Sequence, residues 1–153
     1  MSRAVACLFV LWIGYVLTTC GGNKKKETPK PLFEGMDRRT TLRMKLYLVN
    51  GHKLYQTQCM GCHGTDGQGL KALVPPLAQA KILQRPDSVA CVIKQGVQKG
   101  IRYVMPAYPH LTHLQIAEIM TYIGAAWGNR TGFQPVKQVQ TYLKNCPKQQ
   151  RVP

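Results

Sequence analysis

Acidic side chains are scarce in this chain of 153 residues, since six Asp and Glu stand against 21 Lys and Arg, for a formal net charge of +15 at pH 7. The sequence also lacks a phosphate-binding glycine loop, a nucleophile–base–acid triad and a separate pair of carboxylates. These are the usual carriers of phosphoryl-transfer and hydrolytic chemistry. We therefore predict that no side chain acts as a catalytic acid, base or nucleophile.

The positive charge is spread along the chain and not gathered into one stripe with interleaved aromatic residues. Nucleic acid is for that reason not an expected partner. A basic surface instead attracts acidic protein surfaces or anionic lipid headgroups and speeds the encounter with them.

The first 19 residues have the pattern of an export signal. Arg3 precedes an apolar run from residue 4 to residue 16, which is shorter than the ~20 residues of a membrane span. The following Leu-Thr-Thr-Cys resembles the site at which a bacterial lipoprotein is cleaved ahead of a lipidated cysteine, here Cys20. An uncleaved anchor helix and an ordinary signal peptide are the alternatives. Each of them places the rest of the chain outside the cytoplasm.

Two cysteines three residues apart, directly followed by a histidine, form the segment Cys59-Met60-Gly61-Cys62-His63. This is the pattern of covalent c-type haem attachment, in which each thiol adds to a vinyl group and the imidazole binds the iron. Two rival interpretations have less support. A thioredoxin-like pair is expected beside alternating strand and helix patterns, and a zinc site needs a second ligand pair at similar spacing. The sequence shows no alternating strand and helix patterns, and it offers no second ligand pair, because Cys91 and Cys146 stand alone.

Gly51, Tyr55 and Cys59 recur at a spacing of four and therefore share one face of a predicted helix. Together with the motif they resemble the first helix of bacterial class I c-type cytochromes, and the resemblance covers residues 44 to 128. It implies an all-α class I cytochrome c fold, with three to five helices around one haem c. That haem c would be bound covalently through Cys59 and Cys62, with His63 as an axial ligand.

The resemblance implies three further contacts with the haem group. Met105, in an irregular stretch before the last helix, matches the methionine that binds the iron as its second axial ligand. Pro75 matches a proline whose carbonyl accepts a hydrogen bond from the outer nitrogen of His63, and Leu77 matches a residue that packs on the haem face. Two nearby histidines compete with Met105: His110 and His113.

The predicted organisation has four parts. These are a lipoprotein-type signal peptide (1–19), a lipid-anchored flexible tether (20–43), the cytochrome c domain (44–128) and a C-terminal extension (129–153). Apolar periodicity and helix start and stop signals predict helices from Met44 to Gln58, from Pro86 to Gly96 and from Thr112 to Trp127. Residues 97 to 110 are predicted to form a loop, and residues 134 to 146 a further short helix.

Cys91 and Cys146 remain after the other cysteines have been assigned. Of the six cysteines, Cys7 leaves with the signal, Cys20 carries the lipid and the motif pair carries the haem. An even remainder in an oxidising compartment suggests a disulfide that closes a loop of ~55 residues and ties the extension to the domain. The alternative is that Cys91 is a small buried apolar residue and Cys146 a free thiol.

With histidine and methionine both bound, an iron has no open position and passes single electrons. The resemblance therefore implies a membrane-tethered monohaem electron carrier, not an enzyme, on the periplasmic side of a bacterial membrane. Its expected partners are redox proteins with acidic docking surfaces, and the membrane through the lipid anchor. Two alternatives stay open: a dedicated cytochrome subunit of a periplasmic dehydrogenase or terminal oxidase or reductase, and a gas-binding or sensor haem domain.

Overall fold

The computed structural model describes residues 32–71, 73–99 and 103–147. The predicted signal peptide, Cys20 and the tether up to residue 31 lie outside the described residues. Five α-helices are present in the described part: α1 (Arg38–Gln58), α2 (Met60–His63), α3 (Pro86–Gln95), α4 (His113–Ile123) and α5 (Val136–Lys144). A 3-10 helix (Lys81–Gln84) and two strands, β1 (Val97–Lys99) and β2 (Tyr103–Met105), complete it. The predicted all-α fold class is confirmed, and no helix of this part is both long and apolar enough to cross a membrane.

The first helix starts at Arg38 and not at Met44, so residues 38–43, which were predicted to belong to the tether, are helical. Asp37 caps the helix, because its carboxylate accepts hydrogen bonds from the backbone N–H groups of Arg39 (2.9 Å) and Thr40 (3.1 Å). Such a cap satisfies N–H groups that have no partner within the helix. The hydrogen bonds with Thr40 lower the pKa of Asp37, as expected for an ionised cap.

Helix α1 crosses α4 in direct contact at Gly51. A β-carbon at this position would collide with the backbone carbonyl of Glu118 and lie 2.8 Å from the β-carbon of Tyr122. Beside the crossing, the amide nitrogen Nδ2 of Asn50 donates a hydrogen bond to the buried Glu118 carboxylate at 2.9 Å. The crossing therefore requires a residue without a β-carbon at position 51.

Helix α4 forms the centre of the core, and it starts at a capping box. Thr112 Oγ1 accepts from the Gln115 N–H at 3.2 Å, while Gln115 Oε1 accepts from the Thr112 N–H at 2.9 Å. The helix ends at Ile123, four residues before the predicted end at Trp127. Asn129 accounts for the early end, because its Nδ2 donates to the Ile123 carbonyl at 2.7 Å and gives that group a partner outside the helix.

Residues 97 to 110 are not wholly irregular, as the sequence had suggested. Strands β1 and β2 pair in antiparallel fashion, with Val97 opposite Met105 and Lys99 opposite Tyr103. Strands of three residues are too short for alternation of apolar and polar residues to be visible in the sequence. The hairpin matters for the site because it places Met105 beside the end of α3.

A disulfide joins Cys91 in α3 to Cys146, just beyond α5, with the two α-carbons 5.5 Å apart. The bond closes a loop across 55 positions of sequence, which by chain entropy corresponds to about 4 kcal/mol of stability. Val139 of α5 is fully buried in the core. The C-terminal extension is therefore packed on the domain as well as bonded to it.

We predict that Gly51→Ala lowers the free energy of unfolding by about 1–3 kcal/mol, because the added methyl group has no space between α1 and α4. The steric cost of the methyl group exceeds the gain in helix propensity from glycine to alanine, which is about 1 kcal/mol. Guanidinium denaturation followed by circular dichroism measures the change. Gly61→Ala is the matched control, since a β-carbon there meets no atom within 4 Å. Equal stability of Gly51→Ala and the parent would contradict the close crossing.

Candidate functional site

An apolar cavity of about 390 Å³ lies at the end of α1. Its lining brings together side chains that are far apart in sequence: Cys59, Cys62 and His63 of the motif, and Met105 at the end of β2. Most of the remaining wall is aliphatic and is provided by the segment 73–77, the 3-10 helix, α3 and α4. The residues predicted from the motif and the predicted second axial ligand therefore face one space.

The motif is held by backbone hydrogen bonds between two consecutive helices. The N–H of Cys59 donates to the Tyr55 carbonyl at 2.9 Å, and the Cys59 carbonyl accepts from the N–H groups of Cys62 (3.2 Å) and His63 (3.0 Å). The single turn of α2 thus fixes the two thiols and the imidazole relative to one another. His63 is buried, Cys59 is half-buried and Cys62 is exposed.

His63 sits in surroundings that favour a neutral imidazole. Burial lowers its pKa, and the Pro75 backbone opposes this with a smaller effect. The ring atom Nδ1 is nevertheless buried without a hydrogen bond that meets normal geometry. The hydrogen bond predicted from His63 to the Pro75 carbonyl therefore stays a prediction. A neutral imidazole in an apolar wall is the form that binds a metal ion.

The two motif cysteines do not have the electrostatics of a redox dithiol. Burial, with a smaller contribution from Cys62, raises the pKa of the Cys59 thiol to about 11. Reactive cysteine pairs instead have a lowered thiol pKa. The described ranges contain no group of three or more His, Cys, Asp or Glu that is able to hold a metal ion.

Met105 is followed by a loop that two side chains fasten to the helices. The Tyr108 hydroxyl donates to the carbonyl of Gln58 at the end of α1 at 2.7 Å. Lys94 of α3 donates through Nζ to two carbonyl groups further along the loop, at 2.7 and 2.9 Å. Sequence reasoning singled out neither side chain. The available signal was an aromatic residue between two prolines in a segment with no regular structure.

Leu77 lines the cavity, and Asn129 holds the segment that carries it. Packing of Leu77 on the haem face stays a prediction. The buried Asn129 side chain donates through Nδ2 to the Leu77 carbonyl at 3.0 Å and accepts through Oδ1 from the Gln79 N–H at 2.7 Å. In the sequence, Asn129 merely follows the predicted end of the last core helix at Trp127. His110 and His113, the competing ligands, are exposed and do not line the cavity.

Three aromatic rings fix the turn that follows His63. Tyr55 lines the cavity, lies 5.4 Å from the Tyr122 ring centroid and 5.2 Å from the Trp127 centroid, and donates its hydroxyl to the Gly64 carbonyl at 2.6 Å. Burial raises the Tyr55 pKa, which keeps this hydroxyl protonated as a donor. Trp127 Nε1 donates to the Thr65 carbonyl at 3.1 Å.

The residues present fit a flat, mostly apolar, iron-containing ring such as haem. The cavity is walled by aliphatic side chains, and it presents one imidazole and one thioether to its interior. Imidazole and thioether are the ligand pair of electron-transfer haem iron. Cys59 and Cys62 are free thiols at the cavity, and they are the groups that would provide covalent attachment.

Comparison with known proteins finds similar chains among the cytochromes c. Residues 48–123 match the family described as Cytochrome C oxidase, cbb3-type, subunit III. Cytochrome c-552 of Thermus thermophilus is 35% identical over 107 residues, which cover 60% of this chain and 72% of that protein. Cytochrome c-551 of Bacillus subtilis is 31% identical over 93 residues, covering 58% and 74%.

Longer proteins also contain a similar segment. The cytochrome c subunit of alcohol dehydrogenase (quinone) from Gluconacetobacter polyoxogenes is 32% identical over 94 residues. The alignment covers 54% of this chain but only 19% of that subunit. The likeness is thus to one portion of a larger protein.

We predict that Asn129→Ala lowers the free energy of unfolding by at least about 2 kcal/mol, because buried backbone groups of the cavity wall lose their hydrogen-bond partner. The shift of the guanidinium midpoint measures the effect. Asn145→Ala is the control, since Asn145 is exposed at the end of α5. Similar midpoints for the two variants would show that Asn129 does not hold the wall.

Proposed function

Because the chain belongs to the c-type cytochromes, and so transfers electrons through covalently bound haem c, we propose that its iron is held by His63 and Met105. Cys59 and Cys62 form the two thioether links. The observation that carries the proposal is the common cavity, which gathers the motif and Met105 from distant parts of the sequence. The bound haem supplies the one-electron chemistry, and the chain is an electron carrier with no catalytic acid, base or nucleophile of its own.

The side chains of the chain bind, orient and exclude water. The turn of α2 presents the imidazole of His63 to the cavity, and the β-hairpin presents the thioether of Met105. Leu77 and the aliphatic wall keep water away from both ligands. A thioether ligand and apolar surroundings favour the less charged, reduced iron, and so they raise the reduction potential relative to a second histidine.

The chain exchanges electrons with partner proteins, as cytochromes of this family do. We propose that these partners present acidic docking surfaces, because the chain carries a net charge of +15. We further propose that residues 1–19 direct export, that Cys20 is lipidated, and that the carrier works on the periplasmic side of a bacterial membrane. The lipobox-like sequence before Cys20 supports this part of the proposal.

A second candidate function is that of a dedicated cytochrome within an enzyme complex. The likeness to the cytochrome c subunit of alcohol dehydrogenase (quinone) favours it. The two functions differ in what accompanies the native protein. Copurification with a catalytic chain at fixed stoichiometry indicates a subunit, and isolation as a single chain indicates a free carrier.

We predict that the purified protein retains haem after denaturation, with the pyridine haemochrome spectrum of haem c. The Cys59→Ala, Cys62→Ala double variant should lose all covalently bound haem, because neither thioether can form. The Cys91→Ala, Cys146→Ala double variant is the matched control and should keep it. Intact mass measures both haem content and the proposed lipid at Cys20. A colourless parent protein would refute the haem proposal, whereas absence of the lipid would refute only the anchor.

We predict that Met105→Ala abolishes the long-wavelength absorption band of methionine-ligated ferric haem and allows CO binding at neutral pH, because one axial position becomes open. Met36→Ala is the control, since Met36 does not line the cavity. Tyr108→Phe should keep the band but lose it at lower denaturant concentration, because the loop after Met105 loses its hydrogen bond to Gln58. A parent protein that lacks the band and binds CO would instead support the sensor alternative.

A further inference from the structure

The outward face of α1 carries an apolar stripe that belongs to no part of the core. Leu42, Leu46 and Val49 are 54%, 64% and 56% exposed, and their spacing of four and three places them on one side of the helix. The opposite side of α1 packs on the core through Met44 and Gly51. Contiguous exposed apolar residues of this kind mark interaction surfaces.

The stripe is not explained by the haem cavity. Three of the other exposed large apolar residues in the described part, namely Leu73, Ile82 and Val104, line that cavity and are accounted for by it, whereas Leu70 and Leu114 are exposed singly outside both the cavity and the stripe. No residue of the stripe lines it. Its exposed aliphatic area therefore requires a different partner.

The charges around the stripe identify the chemistry of that partner. Helix α1 contains five Lys and Arg and no Asp or Glu. At 100° per residue, Arg38 and Lys45 flank the stripe on one side, and Arg39 and Arg43 flank it on the other. The arginines share one surface groove with Leu42 and Leu46. A partner must accept aliphatic side chains along the middle and offer anions on both sides.

We propose that this face of α1 lies on the surface of an anionic lipid bilayer. A bilayer interface supplies both requirements, because leucine and valine reach the acyl boundary while guanidinium groups pair with phosphates at headgroup level. The proposal does not depend on lipidation of Cys20. It assigns a second, reversible membrane contact to the folded domain itself.

The test places a nitroxide label at Leu46→Cys in the exported holoprotein, where the proposed thioethers and the disulfide occupy four of the six native cysteines. The same labelling of the parent protein gives the background from any free thiol at Cys7 or Cys20. The control label is at Gln140→Cys, on the exposed side of α5. Power-saturation spectroscopy then measures the accessibility of each label to oxygen and to a water-soluble nickel complex. The protein is measured alone, with phosphatidylcholine vesicles and with vesicles that contain phosphatidylglycerol.

With phosphatidylglycerol, the label at position 46 should gain oxygen accessibility and lose nickel accessibility, while the control label stays in water. Arg39→Gln and Arg43→Gln should each lower the equilibrium constant for this contact about fivefold. A label at position 46 that stays equally accessible to nickel on anionic vesicles would overturn the proposal, even for a chain anchored by its lipid. Low nickel accessibility of the label at position 46 in the absence of vesicles would also overturn the proposal. Spin coupling between labels would then assign the face to a contact with a second copy, and no coupling would assign it to another segment of this chain.

Discussion

The close crossing of α1 and α4 at Gly51 is the constraint on which the site depends. Because the helix backbones touch at Glu118, residues one and two turns further along the same face of α1 have fixed surroundings. Tyr55, one turn on, meets the Tyr122 ring and forms part of the cavity wall. Cys59, a further turn on, reaches the cavity itself. Because Gly51, Tyr55 and Cys59 are four residues apart on one helix face, the helix crossing at Gly51 also determines where the Cys-x-x-Cys-His motif lies.

Individual polar side chains hold those walls of the cavity that are formed by irregular segments and not by helices or strands. The segments carrying Leu77 and following Met105 leave backbone carbonyls and N–H groups without helix or sheet partners, and buried groups of this kind require partners. Asn129 supplies them on one wall, and Lys94 supplies them on the other. Tyr108 ties the same loop to α1 through its hydrogen bond to the Gln58 carbonyl. The irregular segments are therefore as well specified as the helices, but by few groups.

The distance between partners along the chain separates what the sequence reveals from what it does not. The Cys-x-x-Cys-His motif spans five residues and the Thr112–Gln115 capping box spans four, so each pattern is visible in the sequence by inspection. The hydrogen bonds from Asn129 to Leu77 and from Tyr108 to Gln58 join residues about fifty positions apart. A single asparagine or tyrosine in the sequence does not indicate so distant a partner. The pairing of Val97 with Met105 was hidden for another reason, since strands of three residues show no period.

Contact of α1 with a bilayer, as proposed above, would fix the orientation of the domain as well as its distance from the membrane, which a flexible tether cannot do. A tether limits only the distance between a domain and a membrane, and it leaves the orientation of the domain free. A helix that contacts the bilayer through Leu42 and Leu46 fixes that orientation, because α1 continues unbroken to Gln58, next to the motif. The same element would then set both the position of the cofactor and its direction relative to the membrane. An electron carrier benefits from this, since transfer depends on which edge of the domain faces its partner.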